Sequence, residues 1–210
     1  CIDIVWTRDV DAAWHSYEGA GRSTLQVTDL ALATVDRALD VACHEGYPGH
    51  HAQFLLQEAA AGSDGLPIED RLVLLRSPES ALREGAAMHG VDLVFPAAAR
   101  IAFERDVLFP LAGVDPDLAP VIGRLRPLLD RLDLAVPGII RDHEDGAMSN
   151  DETLIALQNE ALVASPRALF AYAHEVGAYL AGYTLVRASL RERLPADGGE
   201  TWDRLRGLLS

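Results

Sequence analysis

The sequence is poor in the features that define several large classes of protein. Its 210 residues include only two cysteines, Cys1 and Cys43, which are too few for a disulfide framework. This scarcity is typical of a reducing compartment, and we expect a cytoplasmic protein. No apolar run approaches the ~20 residues of a transmembrane helix, and no secretory signal opens the chain, so we expect no membrane partner.

Positive charge is scarce as well. The chain has 18 Lys+Arg against 32 Asp+Glu, a formal net charge of -14. Nucleic-acid backbones and anionic membrane surfaces bind cationic patches, so we expect neither as the main partner. Apolar residues are plentiful at 49%, which predicts a folded chain. The acidic balance suits binding of a cation, although acidity more often serves solubility.

The sequence begins at Cys1 and not at a methionine. We interpret this as a processing or fragment boundary. An N-terminal cysteine nucleophile is the alternative interpretation.

Helical periodicity dominates from Thr28 onwards, and it predicts a mainly α fold. Ser77 and Ser149 are predicted N-caps, the second within a capping box with Glu152. Residues 137–148 read as a turn region, and the tail after Pro195 as weakly helical. The predicted helices cover residues 28–45, 50–62, 67–76, 78–95, 121–135, 150–162 and 167–194.

We expect a single domain over residues 1–210. Residues 1–27 form an irregular lead-in, in which CIDIVW is a possible short strand. Residues 28–95 carry the candidate metal-binding helices, and residues 96–210 supply C-terminal helices that complete the site.

The stretch CHEGYPGHH, residues 43–51, holds three of the chain's seven histidines. It approaches the zinc-protease motif H-E-x-x-H, in which two histidines four positions apart share one helix face. Here His50 follows His44 by six positions, which in a straight helix means a rise of ~9 Å and the wrong face. His51 returns to the same face, but ~10.5 Å away. Neither could share an ion with His44 in a regular helix.

Pro48 indicates that the helix is not regular here. Its ring clashes with the carbonyl four residues earlier, and it has no amide hydrogen to donate. The proline also drives Tyr47 out of the α region. Gly46 and Gly49 permit unusual backbone angles on either side. We therefore predict a break in the helix at Pro48.

A bulge of two residues would bring His50 to the position of the second histidine in the common motif. His51 would then point roughly a quarter turn away. We predict His44 and His50 as metal ligands, with Glu45 turned toward the open side of the metal. A solvated cluster of surface histidines is the alternative interpretation.

Catalytic zinc sites usually have a third protein ligand and one open position. Glu84 is the candidate, because it lies on a separate, well-capped helix beside Gly85, which allows close helix approach. Glu79 competes, but its place in the first helical turn already explains it. Cys43 is better explained as a small buried residue.

The segments HEGYPGHH and SPESALREGAA resemble a bacterial family of helical zincin-like proteins of unknown function. The family's hallmark is H-E-x-x-P-G-H-H followed by an E-G-x-A segment. It is distantly similar to Taq-type carboxypeptidases, which are helical metallopeptidases. The resemblance extends more loosely over residues 14–95 and 149–187, and only the PGHH element is specific.

The resemblance implies a zinc-dependent peptidase fold with His44, His50 and Glu84 as ligands and Glu45 as general base. It also implies that the chain is the C-terminal, catalytic part of a longer protein, completed by an upstream helical region or a second chain. A Tyr-x-x-Gly segment that faces the metal in the family matches Tyr179-Leu-Ala-Gly182 here. The proline-glycine-glutamine lead-in to that segment is absent.

The absent lead-in leaves the family tyrosine's role open, with His174 and Tyr183 as rivals to Tyr179. Tyr179 or His174 would donate a hydrogen bond to the oxyanion, and Tyr183 is a candidate substrate-binding residue. Tyr179 could equally be an aromatic residue that lines the core. Arg167 could pair with a substrate carboxylate, although a surface arginine is the simpler interpretation.

The expected activity is hydrolysis of a peptide or small amide by zinc-activated water, carboxypeptidase-like in its action. Two other interpretations stay open. The chain could be an inactive binding or structural module of the same fold, or a metal-dependent hydrolase of non-peptide amides.

Overall fold

The computed structural model describes residues 1–8, 13–28, 34–62, 74–194 and 198–209. Within these ranges the chain is mainly helical with one small sheet, so the predicted mainly α fold is confirmed. Residues 63–73, which include most of the predicted helix 67–76, lie outside the described ranges, as do residues 29–33 of the first predicted helix.

Across the described ranges, no single helix combines the length and apolar composition that a membrane crossing requires. The segments Pro78–Val94 and Ala97–Leu111, bent by 72° to each other, meet that criterion only as a pair.

The N-terminal segment forms a three-stranded sheet. The strands are β1 (Ile2–Trp6), β2 (Trp14–Gly19) and β3 (Arg22–Val27). β3 is central, parallel to β1 and antiparallel to β2. It buries every second residue, which gives the sheet one face that packs on the helices.

The predicted irregular lead-in is therefore wrong except for CIDIVW, which is β1. The sequence did carry a signal, because RSTLQV buries Ser23, Leu25 and Val27 at period two. The alternation is short, and a buried serine on the apolar face hides it. A tight turn at Gly19, Ala20 and Gly21, all with positive φ, joins β2 to β3.

The helices begin with α1 (Arg37–Val41), which continues into a π-helical turn at Ala42–Gly46. Next come α2 (His50–Ala61) and α3 (Pro78–Val94). The later helices are α4 (Ala97–Phe103), α5 (Phe109–Leu111), α6 (Ala119–Asp133), α7 (Val136–Glu144), α8 (Asn150–Asn159), α9 (Pro166–Val176), α10 (Arg187–Arg193) and α11 (Gly198–Leu209). α4 and α5 are joined by a π-helical turn at Glu104–Leu108.

α3 is the helix around which the others pack. Ser77 caps it by accepting a hydrogen bond from the Ser80 amide at 3.1 Å, as predicted. It contacts the π-helical turn before α2, as well as α2, α10 and α11. Its buried face consists largely of small residues, which lets these neighbours approach closely.

The predicted turn region at residues 137–148 is mostly helix. α7 covers Val136–Glu144 and buries Val136, Ile139 and Ile140 on one face. Pro137 suggested a turn, but proline is tolerated in the first turn of a helix. This face joins the largest apolar core, which α7 shares with α8 and α9.

The single long helix predicted over residues 167–194 is also wrong. α9 ends at Gly177, which has φ +59. A 3-10 turn at Gly177–Tyr179 and a π-helical turn at Gly182–Val186 follow before α10. The apolar period is nearly helical throughout, so periodicity alone could not reveal these breaks.

The capping box at α8 gives a matched test of local helix energetics. The Ser149 side chain accepts from the Glu152 amide, and the Glu152 carboxylate accepts from the Ser149 amide at 2.8 Å. We expect Ser149→Ala to lower the free energy of unfolding by about 1 kcal/mol. Ser165→Ala is the control, because the Ser165 side chain makes no cap hydrogen bond at α9. Urea unfolding of both variants measures the difference, and equal losses would contradict the capping assignment.

Candidate metal centre

The helix that carries His44 is interrupted before His50, as the sequence predicts. The π-helical turn ends at Gly46, and Tyr47 is extended at φ -114 and ψ 127. The Tyr47–Pro48 peptide bond is cis, and the Gly49 amide donates to the Cys43 carbonyl at 2.9 Å. α2 then begins at His50.

This interruption brings two imidazoles together. The ring centroids of His44 and His50 lie 4.6 Å apart, with the rings at 83° to each other. In a straight helix the two residues would be separated by a rise of ~9 Å. The break at Pro48 therefore converts an unsuitable spacing into a pair of neighbouring nitrogen donors.

The close packing of the interrupted segment, residues 47–49, requires a glycine at position 49. A Cβ atom at Gly49 would lie 1.8 Å from the carbonyl oxygen of His44. Only a residue without a side chain can approach the preceding turn so closely. On the opposite side, Gly90 of α3 packs against Pro48 and the Cys43 carbonyl.

α3 contributes Glu84, whose residue is only 1% exposed. Glu84 Oε1 lies 3.3 Å from His44 Nε2, and Glu84 Oε2 lies 3.2 Å from His50 Nε2. The two histidines from the motif and the predicted third ligand therefore meet in space. Glu79, the competing acid, is exposed at the start of α3.

The turn at Gly182–Val186 presses against Glu84 from the other side. A Cβ atom at Gly182 would lie 2.7 Å from Glu84 Cβ, and one at Gly85 would lie 2.4 Å from Val186 Cγ1. The two glycines thus let α3 and this turn approach closely. The packing of Gly182 against Glu84 Cβ restricts the position of this side chain.

Glu45 completes the cluster. It is 7% exposed, and its Oε1 lies 3.8 Å from His44 Nε2. Burial raises the pKa of Glu45 to about 7, and the nearby charge of Glu84 acts in the same direction. A carboxyl group with such a pKa is suited to exchange a proton near neutral pH.

Burial and charge shift the pKa values of His44 and His50 in opposite directions. Burial lowers the pKa of His44 to about 4, although the charge of Glu84 opposes this shift. Burial also acts to lower the pKa of His50, but the hydrogen bond and charge of Glu84 outweigh it, and the pKa is raised. For Glu84, burial acts to raise the pKa, but the hydrogen bond to His50 and the charges of both histidines hold it at about 2.

The residues present fit a divalent zinc ion. Two imidazole nitrogens and a carboxylate are a common catalytic set, and it leaves one coordination position open. Glu84 Oε1 is buried and, within the described part of the chain, accepts no hydrogen bond. His44, Glu45 and His50 also offer ligand atoms within 4.8 Å of one another. Glu84, the third ligand that the sequence predicts, has its two oxygens within 3.3 Å of the imidazole nitrogens of His44 and His50.

The predicted tyrosines lie beside Glu84. The Tyr179 hydroxyl donates a short hydrogen bond to Glu84 Oε2. Tyr183 packs edge-on against Tyr179, with ring centroids 5.6 Å apart, and its hydroxyl lies 3.0 Å from that of Tyr172. Burial and the charge of Glu84 raise the pKa of Tyr179 and of Tyr183, so both stay protonated donors.

His174 and Arg167, the other two candidates from the sequence, are not joined to this cluster. The exposed His174 ring packs on Phe170 and on His143, at centroid distances of 4.6 Å and 5.5 Å. Arg167 is exposed near the start of α9 and makes no salt bridge with any described residue. These two assignments find no geometric support.

His51 has a different environment from its neighbour. It is fully buried, and its Nδ1 lies 2.6 Å from the Ser23 hydroxyl on β3. The same hydroxyl lies 2.9 Å from His15 Nε2 on β2. This hydrogen-bonded chain ties the start of α2 to the sheet. Sequence reasoning missed His15 and Ser23, whose only signal was the short alternation of β2 and β3.

A cavity of about 970 Å³ opens beside the cluster. His44, Glu45 and Tyr183 line one part of it. Apolar side chains and five arginines, balanced by aspartates, line the rest. The cavity has the size of a small-ligand site, and Glu45 lines it.

No protein-family model, no curated protein and no solved structure matches this chain.

The close contact at Gly49 can be tested within the motif. We expect Gly49→Ala to lower the free energy of unfolding by about 2 kcal/mol or more, because the new methyl group overlaps the His44 carbonyl. Zinc affinity should fall with it, since the two imidazoles separate. Gly46→Ala is the control: its methyl group would meet only Ile2 Cδ1, at 3.4 Å. Urea unfolding and zinc titration measure both effects, and a Gly49→Ala protein that matches Gly46→Ala would contradict this packing argument.

Proposed function

We propose that this chain is a zinc-dependent hydrolase that cleaves peptide bonds, with Glu45 as general base. One observation carries the proposal. The Nε2 atoms of His44 and His50 lie within 3.3 Å of the two oxygens of the buried Glu84, and the buried Glu45 carboxyl adjoins them.

His44, His50 and Glu84 would hold the zinc ion. When bound, zinc supplies Lewis-acid chemistry, which polarises a carbonyl group and lowers the pKa of water toward ~7. The pKa of His44 is low, so its imidazole is neutral and able to bind a metal. Glu84 remains anionic for the same purpose.

Glu45 moves the proton in this scheme. It accepts a proton from the attacking water and returns it to the leaving amine. Its pKa of about 7, raised by burial, allows both transfers near neutral pH. Glu45 also lines the cavity, so the substrate can reach it.

Tyr183 is the better candidate to contact the substrate directly. It lines the cavity and keeps its proton, so its hydroxyl can donate a hydrogen bond to the developing oxyanion. Tyr179 is engaged with Glu84, and we assign it the role of positioning that carboxylate.

The choice of an enzyme over a binding module follows from the cost of burial. A carboxyl group that is nine-tenths removed from water destabilises a fold unless it is compensated. Glu45 makes no hydrogen bond to a described residue that would explain it structurally. Perturbed acids in a cavity are typical of active sites. We propose a peptide bond, and not another amide, as the bond that is cleaved because of the resemblance to zincin-like proteins.

Zinc binding gives the first test. We expect about one zinc ion per chain in the purified protein. His50→Ala should weaken zinc affinity by more than ~100-fold, which exceeds the usual effect of losing a partner outside the ligand set. His174→Ala is the control and should bind zinc normally. Elemental analysis and chelator competition measure this, and full zinc occupancy in His50→Ala would rule out the ligand set.

Turnover gives the second test, with short peptides as substrates. We expect Glu45→Gln to keep its zinc and lose between ~100-fold and ~10,000-fold in kcat, because amide nitrogen cannot accept the proton. Glu79→Gln, at the exposed start of α3, is the control and should keep full activity. Activity that survives in Glu45→Gln would overturn the general-base role. A wild-type protein that binds zinc but cleaves no peptide would overturn the proposed activity.

A further inference from the structure

The cavity beside the cluster has a second charged region, formed where α10 faces α3 and α6. Arg187 and Arg191 of α10 meet Asp92 of α3 and Asp130 of α6. All four residues line the same cavity as His44 and Glu45. The two arginines share the same two acids, but not equally.

Arg191 satisfies both aspartates. Its Nε and one terminal nitrogen lie 2.8 Å and 3.0 Å from the two oxygens of Asp92. Its other terminal nitrogen lies 2.6 Å from Asp130 Oδ2. This is the fork geometry in which arginine binds carboxylates most strongly.

Arg187 is left with weak contacts. Its two terminal nitrogens lie 3.4 Å from Asp92 and from Asp130, at the long limit of a hydrogen bond. Its Nε is buried and, within the described residues, donates to no acceptor. The Arg187 side chain is 14% exposed, and its guanidinium has no close acceptor among the described residues.

Other arginines that line the cavity form close ion pairs. The long contacts are therefore a property of Arg187 and not of the cavity as a whole. Arg100 forms a fork with Asp40, at 2.8 Å and 2.9 Å, and also binds Glu104. Arg126 pairs with the same Glu104. Asp133 lines the cavity too, but it makes no salt bridge with any described arginine.

The position of Arg187 is also linked to that of the candidate metal ligand Glu84. It is the first residue of α10, directly after the Gly182–Val186 turn that packs on Glu84. Arg187 lines the same cavity as His44 and Glu45. The same turn therefore positions the metal ligand and the arginine.

We propose that Arg187 binds the carboxylate of the substrate, so that this site prefers ligands with a free carboxyl terminus over their amides. The inference rests on the proposed function only in calling this ligand a substrate. It moves the carboxylate-binding role from Arg167 to Arg187. The two terminal nitrogens of Arg187, held only by 3.4 Å contacts, can donate to a carboxylate in two-point contact.

The apolar part of the cavity suggests the side chain next to that carboxylate. Met88, Val91, Phe95 and Ile101 line the cavity together with Arg187. A terminal residue with a large apolar side chain can bury against them. N-acetyl-Ala-Phe and its C-terminal amide are therefore suitable probes, since they differ only in the charged group.

Calorimetric binding to the zinc-loaded Glu45→Gln protein tests the proposal without turnover. We expect the free acid to bind at least about tenfold more tightly than the amide. Adding Arg187→Met should remove that preference by weakening the acid alone. Arg187→Lys should restore part of it, because lysine keeps the charge but not the two-point geometry. Arg105→Met, an exposed arginine outside the cavity, is the charge-matched control and should keep the full preference.

The outcomes are distinguishable. Equal binding of acid and amide overturns the inference. A preference for the acid that survives Arg187→Met also overturns it, because the carboxylate would then be bound by the zinc ion or by another arginine. If Arg187→Met fails to fold, as judged by circular dichroism, the comparison of Arg187→Lys with Arg105→Met decides. An Arg187-dependent preference in a protein that cleaves no peptide supports the inference while the proposed activity fails.

Discussion

The buried carboxylate of Glu84 is the group on which this site depends. A carboxylate can be removed from water only where charges and donors compensate it. His44 and His50 from one motif and Tyr179 from a distant segment provide that compensation. Each segment must therefore place its side chain next to Glu84 on α3. Two π-helical turns, at Ala42–Gly46 and Gly182–Val186, lie in or beside these segments.

Close packing at three glycines restricts how the segments around Glu84 are positioned. Gly49 lies against the His44 carbonyl, Gly182 lies against Glu84, and Gly85 lies against Val186. At each contact a methyl group would overlap its neighbour, so only glycine permits the close approach. π-helical turns adjoin the site on both sides, at Ala42–Gly46 and at Gly182–Val186. Such turns often occur at functional sites, because they re-aim side chains that a regular helix would misdirect.

The charges around the cavity are arranged by element. The acids of the metal centre come from the segment before α2 and from α3, and the arginine with unused donors comes from α10. The proposed function would use this division, with the acids and imidazoles for the zinc ion and Arg187 for a carboxylate of the substrate.

Local chemistry could be predicted from the sequence, and it was. Ser77 and Ser149 begin helices because capping depends on a few adjacent residues, and Pro48 breaks a helix because its ring clashes with the turn before it. The convergence of His44 and His50 follows from that break. The sheet and the end of α9 left only weak local signals, a short alternation and the single glycine Gly177, and the environment of Arg187 depends on partners distant in the sequence. The sequence by itself singled out His44, His50 and Glu84 as candidate metal ligands. Only the tertiary structure brought Glu84 against both imidazoles and Arg187 into the same cavity as His44, because burial and close packing between helices act across the whole fold.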